Sequence, residues 1–96
     1  MKPSEALNRH REAICSAAKR RGVANPRVFG STARGDDVDG SDLDLLVDPM
    51  KGTTLLDLGG LLEDLKQLLG IPVDVLTPDE LPAGIRERVL EEAKPL

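Results

Sequence analysis

The chain has 96 residues, a net charge of −4 and a single aromatic residue, Phe29. This length predicts one domain over residues 1–96 with a modest aliphatic core, and leaves little room for a second domain that would grip a substrate. The lone cysteine, Cys15, excludes a disulfide framework and a cysteine metal site. No signal peptide is recognisable, and no run approaches the roughly 20 apolar residues that span a bilayer. We therefore expect a cytoplasmic protein with no membrane partner.

The charges are unevenly distributed along the chain. Residues 1–35 hold eight basic and two acidic residues, whereas residues 36–96 hold five basic and fifteen acidic residues. A general nucleic-acid binder would need a basic surface and stacking aromatic side chains, so we expect no direct contact with nucleic acid. The basic first third suits docking onto a charged partner, although a solvated helix surface is the more common reason for such a pattern.

The first third of the chain predicts a helix, a short strand and a turn. Ser4 is placed to cap a helix that Gly22 ends. Asn25-Pro26 is typical of a loop, and residues 27–29 form a short strand that Gly30 ends. A short turn of helix follows, and residues 36–41 are read as a polar, solvated loop.

Two segments in the middle of the chain have clear periodicities. In residues 42–47 Leu43, Leu45 and Val47 alternate with Asp42, Asp44 and Leu46, as expected for a strand whose two faces differ. Thr54 and Asp57 resemble a capping box, and a leucine stripe predicts the helix after it. The Gly59-Gly60 pair interrupts that helix and suggests close packing on the sheet. The stripe consists of Leu55, Leu58, Leu62, Leu65 and Leu69.

Residues 73–76 predict another strand, with Asp74 on the face opposite to Val73 and Val75. A last helix starts at Pro82. The predicted order is α-β-(short α)-β-α-β-α. We therefore expect an α+β fold with a small mixed sheet of about three main strands, residues 42–47 central, and helices packed on one face.

Three carboxylates are predicted to meet on the face of the sheet away from the core. Asp42 and Asp44 are two residues apart on one strand, so their side chains leave the same face. Asp74 occupies the matching outward position on a second strand and joins them if the two strands are neighbours. Oxygen ligands of this kind suit Mg²⁺, and two such ions can support an in-line phosphoryl displacement.

The turn after the first strand supplies candidate phosphate contacts. Gly30 lets the backbone approach a ligand closely, and the N–H groups there, with the Ser31 hydroxyl, can hold a triphosphate. Arg34 lies one turn further on and either pairs with a phosphate or holds the 36–41 loop.

These residues, GSTARGDDVDGSDLDLLVD, resemble the signature of the polymerase-β-type nucleotidyltransferase superfamily, in which Gly-Ser is followed after ten residues by Asp-x-Asp. The element order is most similar to that of the minimal nucleotidyltransferase antitoxins of HEPN toxin pairs. The resemblance implies that Asp42, Asp44 and Asp74 bind Mg²⁺, and that Gly30 and Ser31 contact the phosphates of ATP. It further implies AMP transfer to a tyrosine of a HEPN-domain ribonuclease toxin, which silences the toxin.

Three alternatives remain open from the sequence. The aspartates are also compatible with an ordinary exposed edge strand. The chain is also compatible with a non-catalytic binding module that neutralises a partner protein by occlusion. Transfer to a small molecule is a third alternative, which we rank last because enzymes of that kind carry extra domains.

Overall fold

The computed structural model describes all 96 residues and contains no helix that is both long enough and apolar enough to cross a membrane. The predicted order of elements is confirmed, with a 3₁₀ turn and a short final strand added. The elements are α1 (Pro3–Arg20), β1 (Val23–Phe29), α2 (Ser31–Arg34), β2 (Leu43–Pro49), α3 (Leu55–Leu69), β3 (Val73–Leu76), the 3₁₀ turn (Pro78–Glu80), α4 (Ala83–Glu92) and β4 (Lys94–Pro95).

The four strands form one mixed sheet in the order β3-β2-β1-β4. Strand β2 runs antiparallel to β1 and parallel to β3, and β4 runs antiparallel to β1. The expected mixed sheet with residues 42–47 at its centre is therefore confirmed. Because α3 connects β2 to β3, it acts as the crossover that parallel neighbours require.

The main core lies between one face of this sheet and helices α1 and α3. Leu43, Leu45 and Val47 of β2 are at most 1 % exposed, as their alternation predicted. They pack with apolar side chains of both helices and of the flanking strands. The helical members of this cluster are Ala6, Leu7, Ile14, Ala17, Ala18, Ala33, Leu61, Leu65 and Leu69.

A smaller apolar cluster covers part of the opposite face. Leu46, which points away from the main core, is fully buried against Phe29, Leu81 and Val89. Helices α1 and α3 thus pack on one face as expected, and α4 adds a partial cover on the other. This cover matters for the site because it brings the end of α4 beside the end of β1.

Strand β1 is longer than predicted, and the interpretation of Asn25-Pro26 as a loop is wrong. Both residues lie inside β1, where the pairing with β2 is irregular between Ala24 and Arg27. Asn25 has a φ of 51°, and its side chain donates to the Asp48 carboxylate at 2.9 Å. A bulge therefore accommodates the proline without ending the strand.

The prediction that Ser4 caps α1 is also wrong, because the helix begins at Pro3 with Lys2 as its N-cap. The Ser4 N–H instead donates to the Asp37 carboxylate at 2.8 Å. Asp37, predicted to be a solvated loop residue, is consequently only 7 % exposed. This contact ties the loop before β2 to the start of α1 and lowers the pKa of Asp37, chiefly through the Ser4 N–H.

Helix α3 has the predicted start, and its predicted leucine stripe faces the core except at Leu55. Thr54 and Asp57 form the expected capping box. Leu55, however, is 85 % exposed, and Leu61 is buried in its place beside Leu65. The first turn of α3 thus lies beyond the edge of the core.

Gly60 serves a purpose other than the predicted packing on the sheet. A Cβ at Gly60 would lie 2.6 Å from Nη1 of Arg21, so the missing side chain leaves room for that guanidinium. Arg21 in turn forms an ion pair with Asp64 at 2.8 Å. The glycine therefore permits a contact between the end of α1 and α3.

Candidate active site

The site begins where β1 ends beside the start of β2. Phe29 pairs with Asp44 across the two strands, which places Gly30 next to the Asp44 side chain. Gly30 has a φ of +73°, and a Cβ there would lie 2.5 Å from Oδ2 of Asp44. Both the backbone conformation and the space therefore require glycine at this position. The close approach keeps a backbone turn against a carboxylate.

The three predicted aspartates lie at the starts of the neighbouring strands β2 and β3, a group that we call the carboxylate edge. Asp44 and Asp74 are direct partners in the parallel register of β2 and β3, so their side chains leave the same face side by side. The strand begins one residue later than predicted, so Asp42, its predicted first residue, immediately precedes β2. Asp42 and Asp74 are exposed, whereas Asp44 is partly buried.

The pKa of Asp44 reflects its burial and the carboxylates around it. Burial raises the pKa of Asp44 to about 6, and the negative charges of Asp74 and Asp42 add to the increase. The positive charge of Arg34 acts in the opposite direction. Negative potential is therefore concentrated around a carboxylate that is partly removed from water.

The donor chemistry of this group fits a hard divalent cation such as Mg²⁺. All three candidate ligands are carboxylates, and a cation between them would relieve the repulsion that raises the pKa of Asp44. The side chains are not yet converged, because no three Asp, Glu, His or Cys side chains surround one metal position. Aspartate side chains have two rotatable bonds, so changes of rotamer can alter the distances between their oxygens.

The turn after Gly30 carries the other predicted residues. Ser31, which is partly buried, is the first residue of α2, and its carbonyl accepts from the Asp36 N–H at 3.0 Å. Arg34 forms an ion pair with Asp36 at 3.6 Å, so the expectation that it holds the 36–41 loop is supported. Its shorter ion pair, at 2.6 Å, is with Glu92.

Glu92, near the end of α4, is a part of this site that sequence reasoning missed. Its Oε2 accepts from the Gly30 N–H at 3.0 Å, and its Oε1 accepts from Nη1 of Arg34 at 2.6 Å. The Arg34 guanidinium and the Gly30 N–H lower the pKa of Glu92. No spacing rule could have found this residue, because 62 positions separate it from Gly30.

The carboxylate edge is an open surface rather than an enclosed pocket. The three depressions in the structure lie elsewhere, and none is lined by Asp42, Asp44 or Asp74. One of about 350 Å³ lies beside Arg27 and Asp48. We place the chemistry at the carboxylates despite these depressions, because charge and the Gly30 turn converge there.

Residues 7–96 match the family model described as the nucleotidyltransferase domain. Because this match covers nearly the whole chain and the fold agrees with it, the chain belongs to the nucleotidyltransferase domain family and is a nucleotidyltransferase. The resemblance drawn from the Gly-Ser and Asp-x-Asp motifs is thus confirmed at the level of the family.

Two individual proteins are similar to this chain over most of its length. Protein adenylyltransferase MntA of Thermococcus cleftensis is 40 % identical over 86 residues, which cover 84 % of this chain and 87 % of that protein. A solved structure assigned as a minimal nucleotidyltransferase matches with a TM-score of 0.87 and 47 % identity, covering 97 % of this chain and 95 % of that one. The expected α+β nucleotidyltransferase fold is therefore confirmed.

A third match concerns the fold alone. The crystal structure of a toxin–antitoxin with AMP-PNP matches with a TM-score of 0.73 and 19 % identity. It covers 88 % of this chain and 69 % of the chain that it matches.

Proposed function

We propose that this chain transfers AMP from ATP to a hydroxyl group of a partner protein. Asp42, Asp44 and Asp74 hold Mg²⁺, and Gly30 and Ser31 contact the phosphates together with Arg34. The observation that carries the proposal is the parallel register that sets Asp44 beside Asp74, next to the Gly30 turn. A carboxylate pair beside a close backbone turn is the arrangement that a metal-bound triphosphate requires.

In the proposed reaction an acceptor hydroxyl oxygen forms a bond to the α-phosphorus of ATP. The bond from that phosphorus to the bridging oxygen breaks, pyrophosphate leaves, and the hydroxyl proton passes to a base or to water. Bound Mg²⁺ would neutralise phosphate charge and favour the ionised acceptor. The chain itself contributes the carboxylates that hold the cation, and a positive guanidinium and an N–H for the phosphate oxygens.

We propose that the acceptor is a tyrosine of a HEPN-type ribonuclease toxin and that the chain acts as its antitoxin. Similarity to protein adenylyltransferase MntA supports a protein acceptor, and the fold shared with the toxin–antitoxin supports a toxin partner. The open carboxylate edge supports the same view, since a second protein would cover Asp42 and Asp74, both of which are exposed.

Transfer of a labelled nucleotide tests the proposal. The protein is incubated with Mg²⁺, ATP labelled at the α-phosphate and the product of the neighbouring gene, and the partner should acquire the label. The variant Asp42→Asn/Asp44→Asn should reduce labelling by roughly a thousandfold or more, as expected for the loss of transition-state charge stabilisation. Labelling that is absent in wild type, or equal in the variant, overturns the proposal.

Asp79→Asn serves as a matched control for that experiment. Asp79 is exposed in the 3₁₀ turn, and its side chain takes no part in the hydrogen bonds of the site. This variant should label the partner as fast as wild type. Mass spectrometry of the labelled partner then identifies the acceptor, and a residue other than tyrosine would contradict that part of the proposal alone.

One observation favours the alternative of neutralisation by occlusion. Leu55 and Leu56 lie side by side at the start of α3 and are 85 % and 86 % exposed, a pairing that suits contact with another protein. The two functions are separated by asking whether Asp42→Asn/Asp44→Asn still protects cells from the toxin. Full protection by this variant would favour occlusion, and loss of protection would favour AMP transfer.

A further inference from the structure

The contact between Glu92 and the Gly30 turn joins the end of α4 to the end of β1. A single carboxylate accepts from the Gly30 N–H through one oxygen and from the Arg34 guanidinium through the other. Both donors belong to the turn that follows β1. The Glu92 side chain is 22 % exposed, so the contact lies at the margin of the site rather than in the core.

Glu92 lies among negative charges that disfavour a further carboxylate, and it is held chiefly by these two donors, with help from the positive charge of Arg88. It adds a negative charge beside Asp44, whose pKa it helps to raise, where Asp42 and Asp74 already contribute negative charge. The carboxylates of Glu92 and Asp44 repel each other, and the Gly30 N–H and the Arg34 guanidinium must offset that repulsion. The donors therefore define a place that attracts an anion in spite of the surrounding carboxylates.

A phosphate group uses the same two kinds of donor. Guanidinium groups bind phosphate and carboxylate oxygens through the same paired geometry, and backbone N–H groups in tight turns donate to either anion. We propose that Glu92 is an internal substitute for a nucleotide phosphate, which holds the Gly30 N–H and Arg34 until a triphosphate displaces it. This inference rests on the proposed function, because it assigns these two donors to the nucleotide.

Displacement requires only the side chain of Glu92 to move. Helix α4 is anchored by Val89 in the smaller core cluster and by Arg86, which donates to the carbonyls of Pro78 and Leu81. After the helix, Lys94 and Pro95 pair with β1. The backbone around Glu92 is thus fixed at both ends, whereas its partly exposed carboxylate can rotate into water.

The consequence is a built-in reduction of nucleotide affinity. Nucleotide can use the two donors only in the fraction of molecules in which Glu92 has left, and the observed dissociation constant rises in inverse proportion to that fraction. Glu92 would therefore act as an autoinhibitory contact that makes the site selective for a ligand with enough charge to replace it.

Calorimetric titration with Mg²⁺·AMP-PNP tests the inference. Glu92→Gln removes the charge and leaves one oxygen acceptor, so it should bind roughly three- to tenfold more tightly than wild type. The control Glu91→Gln removes the same charge from an exposed neighbour and should bind like wild type. Equal binding by all three proteins overturns the inference. Weaker binding by Glu92→Gln also overturns it and shows that Glu92 positions Arg34 for the nucleotide.

A measurement on the wild-type protein keeps the inference testable if the variant folds poorly. Saturation with Mg²⁺·AMP-PNP should shift the NMR resonance of the Glu92 side-chain carboxyl carbon towards that of a solvated carboxylate, together with the amide resonance of Gly30. An unmoved carboxyl resonance overturns the inference while the proposed function stands, because the nucleotide has bound. Failure of all proteins to bind the nucleotide would overturn the proposed function, and the inference with it.

Discussion

The two faces of strand β2 are built from alternating residues of one segment and have opposite characters. Leu43, Leu45 and Val47 are buried beneath α1 and α3. On the other face Asp44 lies among like charges, and Leu46 alone is buried, in the smaller cluster. One face therefore supplies most of the apolar burial, and this allows the other to hold carboxylates whose mutual repulsion is unfavourable. The comparison predicts that substitutions on the two faces affect different properties.

The largest effect on stability is expected from Leu45→Ala on the core face. Leu45 is 1 % exposed, and its truncation should lower the free energy of unfolding by about 3 kcal/mol through lost burial and a residual cavity. Denaturant unfolding measures the change. The matched control is Leu55→Ala, which shortens a leucine that is 85 % exposed and should change stability by less than about 0.5 kcal/mol. Similar losses for both variants would contradict the assignment of the core.

A smaller effect on stability, combined with a loss of activity, is expected from Gly30→Ala. The added Cβ meets Asp44 Oδ2 at 2.5 Å, and the backbone has a φ of +73°, so we expect a cost of about 2 kcal/mol. AMP transfer should fall as well, since either Gly30 or Asp44 must move. Gly84→Ala, where a Cβ meets no atom within 4 Å, is the control and should be neutral or slightly stabilising. If Gly30→Ala transferred AMP as fast as wild type, the Gly30 turn would not be part of the active site.

Asp44→Asn is expected to raise the free energy of unfolding, unlike the two preceding substitutions. The pKa of Asp44 is about 6 in the folded protein and 3.8 in its ordinary state, so the folded protein binds more protons between about pH 4 and pH 6. The free energy of unfolding should therefore decrease as pH rises through that window and stay low above it. With a chelator present, Asp44→Asn should flatten this decrease and be about 1–2 kcal/mol more stable than wild type at pH 7. A destabilised variant at pH 7 would argue against charge crowding.

The smallest effect is expected far from both faces, at the start of α3. Thr54→Ala removes the hydroxyl that accepts from the Asp57 N–H and should lower the free energy of unfolding by about 1 kcal/mol. Transfer of AMP should be unchanged, because the cap touches neither β2 nor the Gly30 turn. Thr54→Ser retains the hydroxyl and should restore most of the lost stability. A loss of activity in Thr54→Ala at a temperature where it remains folded would show that α3 influences the site.

The sequence predicted those features that depend on neighbouring residues. The alternation in residues 42–47 predicted both faces of β2, and the Gly-Ser and Asp-x-Asp spacing predicted the family that the comparisons confirmed. Predictions failed where a distant partner decided the outcome. Asp37 is buried because Ser4 donates to it, and Leu55 is exposed because the first residues of α3 extend past the core.

At the carboxylate edge, too, local features followed from the sequence, whereas contacts between distant segments did not. The sequence by itself predicted that Asp42 and Asp44 leave one face, since alternation is a property of a single strand. Only the tertiary structure decided that Asp74 lies beside Asp44 and that Glu92 reaches Gly30 and Arg34. Both contacts join strands or helices far apart in the chain, and their register is set by how α3 and α4 pack. Local periodicity carries no information about that packing, because many arrangements bury the same apolar stripes.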